Sequence, residues 1–241
     1  MKKNVLLIGA SGGIAQALIK QFINDASLEH LVTVSRQALE PLSANHEHIL
    51  IDSTDETQIK AFVDQQKTKF QFTQIVCCTG VLHTSGNQTL KPEKRLEDMN
   101  LAQFEEYFKV NTVVPALWLK YAVHLVDKAH AVITVFSARV GSISENQLGG
   151  WYGYRASKAA LNMIVKTAAV EYKRRAPNTV LVSYHPGTVD TELSKPFQSN
   201  VKASKLFTPE FTAQKLILHT SNLDPEGSPY YLDWDGKTIN W

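Results

Sequence analysis

LLIGASGGIA, residues 6–15, admits two readings. A basic start, Met1-Lys2-Lys3-Asn4, runs into apolar residues, and Ala15-Gln16-Ala17 has the small residues of a cleavage site. That is the outline of a secretory signal. Alternatively, residues 5–8 form a first β-strand and residues 9–15 a turn that grips a phosphate. A signal needs roughly 7–15 uninterrupted apolar residues, and here the run stops at Ile8. The strand and turn are therefore expected, and with them a cytoplasmic chain.

The bulk composition narrows the class. The 241 residues, 44% of them hydrophobic, suit one α/β domain over 1–241 with a large core. Basic and acidic residues nearly balance, 25 against 23, and no long run of one sign occurs, so no nucleic-acid or anionic-membrane partner is expected. The most apolar internal stretch, 113–126, is broken by Lys120 and His124 and is too short for a bilayer span. The only cysteines, Cys77 and Cys78, are adjacent and read as packing residues of a reducing compartment. No metal site is expected: His46 and His48 lie two apart, but nothing nearby completes a shell, and both read as solvent-facing.

Apolar runs alternate with amphipathic stretches along the whole chain. Strands are expected at 4–9, 31–35, 48–52, 73–78, 131–137, 179–185 and 229–232, and helices at 13–25, 55–68, 101–128, 152–175 and 208–221. The strands are continuous rather than alternating, as in a sheet buried on both faces. Strand–helix alternation implies right-handed crossovers and a parallel sheet. The irregular stretches 83–100, 138–151 and 192–207 follow strands, where open α/β sheets bind ligands, and are expected as substrate loops.

Gly9, Gly13 and Ala15, with Ser11 and Ile14 between them, open the first helix. Residues without bulk let backbone N–H groups and the helix N-terminus approach a pyrophosphate. An NAD site usually carries an acid about 20 residues on, to bond the ribose hydroxyls. Here the second strand ends instead at Ser35-Arg36, and Arg36 suits a 2′-phosphate that a carboxylate would repel. NADP(H) is the expected cofactor, with Asp52 at the third strand's end near the adenine.

In WYGYRASKAALN, Tyr154 and Lys158 are four apart on a helical pattern and share one face. A phenol with pKa near 10 is a poor proton carrier at neutral pH, and a neighbouring ammonium is expected to bring it toward the working range.

The order of these pieces, together with Asn111 in KVNTVVP, FSARVG after the fifth strand and HPGTVDT at 185–191, resembles the short-chain dehydrogenase/reductase family over essentially the whole chain. The stretches SARVGSISENQLGGWYGYRASKAALN and LDWDGKTINW look most like its C-factor-like members. The resemblance implies Tyr154 as general acid/base, Lys158 holding the nicotinamide ribose and tuning the tyrosine, and Asn111 maintaining a proton-relay water. It implies that Pro186, Gly187, Val189 and Thr191 border the nicotinamide and pyrophosphate. It implies a single doubly wound Rossmann-type domain with a seven-strand sheet of order 3-2-1-4-5-6-7, and hydride transfer between NADP(H) and a small carbonyl or alcohol, in a homodimer or homotetramer.

The chain departs from the family pattern twice. Cys77-Cys78-Thr79-Gly80 stands where N-N-A-G is usual, and Gly80 keeps the close backbone approach. Ser137-Ala138-Arg139-Val140-Gly141 stands where S-S-x-x-G is usual, so the aligned carbonyl-polarising position is Ala138. Ser137 is preferred for that role because it ends a strand; Ser142 is the alternative. An NADP(H)-binding signalling or regulatory protein of C-factor type is the competing reading.

Overall fold

The central strand β1 (Lys3–Ile8) shows why the chain folds as a sheet covered on both sides: residues 5–8 have no exposed surface. The computed structural model describes residues 2–84 and 90–241. Next come α1 (Gly13–Ile23), β2 (Leu28–Ser35), β3 (His46–Leu50), α2 (Glu56–Gln66) and β4 (Gln74–Cys77). The second half adds α3 (Leu101–Phe108), α4 (Val114–Ala122), β5 (Ala131–Phe136), α5 (Tyr152–Arg175) and β6 (Thr179–His185). It ends with β7 (Thr188–Val189), β8 (Leu206–Phe207), α6 (Pro209–Thr220) and β9 (Tyr230–Asp233).

Seven strands form one sheet in the order β3-β2-β1-β4-β5-β6-β9, every neighbouring pair parallel. This is the order expected, with β9 as the seventh sheet strand because the two-residue strands β7 and β8 pair separately. Burial of strand side chains on both faces supplies the driving force, about 25 cal/mol per Å² of apolar surface. One face packs Leu6, Ile8, Ile75, Ile133 and Val135 against Phe62, Trp118, Leu161 and Val165 from α2, α4 and α5. The other packs Val5, Leu7, Val132 and Val180 against Leu18, Phe22 and Leu216 from α1 and α6.

Two expectations need correction. The single helix foreseen over 101–128 is α3 and α4 joined by a π-helical turn, Lys109–Val113, with Asn111 at its middle. Pro115 has no N–H to give the carbonyl four residues back, which is that of Asn111, so the regular ladder cannot continue there. His46 is buried rather than solvent-facing: its Nδ1 accepts the Leu42 N–H at 3.1 Å, and Nε2 lies 2.9 Å from Thr33 Oγ1. Cross-strand pairing of β2 with β3 hides the ring, and burial lowers its pKa.

Candidate active site

The turn after β1 is a cradle. Gly9 has φ +78°, in the left-handed region, and a Cβ there would sit 3.1 Å from Thr79 Cγ2 and 3.2 Å from Thr79 N. The Gln16 side chain donates to the Ala10 carbonyl at 2.6 Å and ties the turn to the helix it opens. Gly12, the N-cap of α1, makes no side-chain capping bond. A Cβ on Gly13 would lie 3.0 Å from Thr191 Cγ2, so the turn and the 186–191 segment meet directly. Ser11 and Gly13 are exposed, and Ile14 packs on the core. Glycine-lined approach and uncapped helix N–H groups at the sheet's carboxyl edge fit a pyrophosphate.

At the end of β2, Ser35 Oγ donates to the Gln37 carbonyl at 2.6 Å, and Arg36 stands exposed beside it. Asp52 accepts from Thr54 N and Thr54 Oγ1 at 2.9 and 2.8 Å. Those bonds hold its carboxyl below the usual range, with Arg36 and Lys109 assisting through charge. Lys109 is a second cation here that sequence reading missed; only the folded chain brings its charge within reach of Asp52.

The reacting centre gathers on α5. A Cβ on Gly80 would lie 3.5 Å from both Asn111 Oδ1 and Lys158 Nζ, so the three residues surround one small space. Asn111 Oδ1 accepts the Val81 N–H at 2.8 Å, while its Nδ2 donates to Val81 O at 2.9 Å and Ser157 Oγ at 3.2 Å. The side chain is held from three sides. Lys158 is buried, donates to the Phe136 carbonyl at 2.7 Å, and lies 5.9 Å from the centre of the Tyr154 ring.

The electrostatics differ from the expectation of a phenol lowered by its ammonium. Burial pushes the Tyr154 phenol up, with Tyr231 adding to the effect, and burial pulls Lys158 down to about 8, opposed by Cys77. Desolvation of both groups outweighs their attraction, because each charge has left water without direct contact with the other. Burial likewise pushes the Cys77 thiol up, as befits a packing residue.

Ser137 is placed differently from the sequence reading. Its hydroxyl donates to Asn162 Oδ1 at 2.7 Å, and Asn162 lies two helical turns beyond Tyr154, about 12 Å along α5. Ala138 instead belongs to the buried cluster of Tyr154, Tyr107, Leu82 and Leu90. Ser142 is buried too, and its oxygen accepts the Glu145 N–H at 3.2 Å within its own loop. Neither serine hydroxyl hydrogen-bonds Tyr154 among the described residues.

Around Tyr154 stand rings that the sequence reading largely missed. Tyr107 and Trp151 meet it edge-on, each at 6.1 Å between centroids, and Phe197 meets Trp151 at 5.1 Å. Tyr107 was hidden in the amphipathic pattern of α3, where its spacing reads as ordinary core. A cavity of 620 Å³ opens beside these rings, lined by His83, Leu90, Glu93, Gln103, Pro196 and Phe197 among others. Pro186 and Gly187 follow β6; Gly187 has φ +79°, and a Cβ there would strike the Phe207 ring at 2.6 Å. Pairing of β7 with β8 then returns the 192–207 segment to this turn and buries Val189. No group of three or more potential metal ligands gathers among the described residues. No helix there is long and apolar enough to cross a membrane.

A glycine cradle at the sheet's carboxyl edge, with a buried lysine and a tyrosine beyond it, defines a dinucleotide-dependent oxidoreductase. The chain belongs to the short chain dehydrogenase family, which uses NAD(P)H, and matches the family pattern over residues 3–202. It is 28% identical over 239 residues to 1-hydroxy-2-glutathionyl-2-methyl-3-butene dehydrogenase of Rhodococcus sp., covering 98% of this chain and 99% of that one. The C-signal protein of Myxococcus xanthus is 33% identical over 105 residues, 44% of this chain and 58% of that one. Among solved structures, carbonyl reductase Sniffer of D. melanogaster superposes with a TM-score of 0.85 at 23% identity over 100% of both chains. The NADPH-bound carbonyl reductase from chicken fatty liver gives 0.82 at 22% identity, over 100% of this chain and 99% of that one.

Proposed function

We propose that this chain is an NADP(H)-dependent oxidoreductase acting on a small carbonyl or alcohol. The observation that carries it is the convergence of Lys158 Nζ and Asn111 Oδ1 on Gly80, with Tyr154 on the same helix face as Lys158. Arg36, with Lys109 nearby, favours a 2′-phosphate over a bare ribose hydroxyl.

When bound, the nicotinamide supplies or accepts the hydride. Tyr154 gives the substrate oxygen its proton on reduction and takes it back on oxidation. Its phenol, raised by burial, is a firm proton holder, suited to donate to an alkoxide rather than to ionise unprompted. Lys158 holds the ribose and steadies the phenolate after transfer. Asn111, pinned on Val81 and Ser157, keeps the backbone at Gly80 and the relay water in place. The Ser137 hydroxyl, engaged by Asn162, does not share the polarising work. Ala138 leaves that task to Tyr154.

Leu82, Leu90, Tyr107, Trp151 and Phe197 favour an apolar or aromatic carbonyl near the reacting carbon. The loops 83–100 (of which 85–89 lie outside the described residues), 138–151 and 192–207 are assigned to substrate selection. Pairing of two copies across α5, whose Met163 and Val170 are 64% and 60% exposed, completes the proposal.

Ala138 also favours a second reading, an NADP(H)-binding signalling or regulatory protein with weak or no turnover. A panel of aldehydes, ketones and diketones with NADPH separates the two. Sustained, substrate-dependent NADPH oxidation supports the reductase; tight NADPH binding with no turnover across the panel overturns it.

A further inference from the structure

The N-terminus of α5 is capped from elsewhere in the chain. The helix starts at Tyr152, so the N–H groups of its first turn have no partner within it. The N-cap residue, Trp151, has left-handed backbone (φ 53°, ψ 45°) and a side chain that cannot accept a hydrogen bond, and the first turn has no acidic residue. Tyr154 sits in this turn. Ordinarily a Ser, Thr, Asp or Asn would close it.

Glu93, buried to 1% exposure, fills the gap. Its backbone carbonyl accepts the Trp151 N–H at 2.5 Å, and its carboxylate Oε2 accepts the Gly153 N–H at 3.2 Å. One residue thereby fixes the N-cap and the residue immediately before Tyr154. A Cβ on Gly153 would lie 2.6 Å from the Tyr107 ring and 2.8 Å from Glu93 Oε1, so glycine is what allows Glu93 and Tyr107 to close on the turn together. Tyr107 is itself anchored, donating from its hydroxyl to the Leu82 carbonyl at 2.7 Å. Of the two rings flanking Tyr154, Trp151 is bonded to Glu93 through its backbone N–H, and Tyr107 closes with Glu93 over Gly153.

We infer that Glu93 is a positioning residue for the reaction: it caps α5 in trans and sets the orientation of Tyr154. Its Oε1 has no hydrogen-bond partner among the described residues, a costly state for a buried carboxylate oxygen. The positive end of the helix macrodipole offsets part of that cost. The role rests on the reductase reading above, since positioning matters only if Tyr154 moves a proton.

The test compares Glu93→Ala with Glu93→Gln, which keeps an acceptor of the same reach. Glu93→Ala should lower kcat by about 10- to 10²-fold, the scale of loss from small misplacement, with NADPH affinity and carbonyl KM within about two-fold of wild type. Glu93→Gln should keep kcat within about three-fold. Hydrogen exchange on the nucleotide-free protein should show the Gly153 amide released in the alanine variant and protected in the glutamine one. Unchanged kcat in Glu93→Ala, unchanged exchange at Gly153, or equal loss in both variants overturns the role. Should Glu93→Ala not fold, Glu93→Asp, one methylene short of Gly153, takes its place with the same expectations. If wild-type protein turns over no carbonyl, the reductase reading fails by itself, while the exchange comparison still decides the cap.

Discussion

Ser137 Oγ and Asn162 Oδ1 are 2.7 Å apart, both buried, and this bond engages the hydroxyl of the first serine after β5. The Ala138 methyl packs in the Tyr154 cluster instead. Ala138→Ser should therefore raise kcat by about 10-fold or more, since one positioned donor to a developing oxyanion is worth about 10²–10³ elsewhere. Ser137→Ala should leave kcat within a few-fold but lower stability by about 1–3 kcal/mol, because Asn162 Oδ1 loses its donor. Steady-state kinetics at saturating NADPH and thermal melts read both. A 10²-fold kcat loss in Ser137→Ala, with no gain in Ala138→Ser, would return the role to Ser137.

Arg36 tests the choice of nicotinamide. Arg36→Asp replaces a phosphate partner with a repelling charge and should weaken NADPH binding by about 10²-fold or more, consistent with 1.5–3 kcal/mol or more for a charge-assisted bond. NADH binding should change far less. Fluorescence titration of both nucleotides decides it; equal losses, or a wild-type preference for NADH, would reject the NADP assignment.

Tyr154→Phe removes only a hydroxyl and should abolish turnover while nucleotide affinity stays within about three-fold, as expected for a group used only in proton transfer. Lys158→Ala should harm both turnover and binding. Substantial activity in Tyr154→Phe on a confirmed substrate would overturn the mechanism.

Burial lowers Lys158 from 10.5 to about 8. Between pH 8 and 10.5 the unfolded chain therefore holds more protons at this residue than the folded one, and stability contributed by Lys158 rises with pH across that window. The unfolding free energy of wild type minus that of Lys158→Met should climb by about 3 kcal/mol from pH 7 to pH 10.5. Denaturant melts at stepped pH measure the difference. A flat difference would show that the folded lysine keeps its ordinary pKa, and a falling one that folding raises it; either rejects the shift.

Pairing of two copies through α5 should make the protein a dimer or tetramer at micromolar concentration by light scattering. Met163→Asp and Val170→Asp together, both on exposed positions of α5, should shift it toward monomer. A wild-type monomer rejects the interface.

Local physics wrote much of this protein into its sequence. Continuous apolar runs, the glycine turn at 9–15 and the spacing of Tyr154 and Lys158 report the sheet, the cradle and one helix face, because side-chain periodicity acts within a few residues. Pro115 also marks where the regular helix cannot continue, though the π-turn around Asn111 appears only with α3 and α4 in place. Other features depend on which distant groups become neighbours. Ser137 and Ala138 are adjacent, yet one bonds Asn162 and the other packs with Tyr154, since successive residues at a strand's end face different surroundings. His46 is hidden by pairing of β2 with β3, and the charge of Lys109 bears on Asp52 only once distant parts of the chain have folded together. Glu93 lies 60 residues from the amide it caps. Its carboxylate carries no local signal of that role, because the unpaired N–H it satisfies exists only once α5 has formed against it.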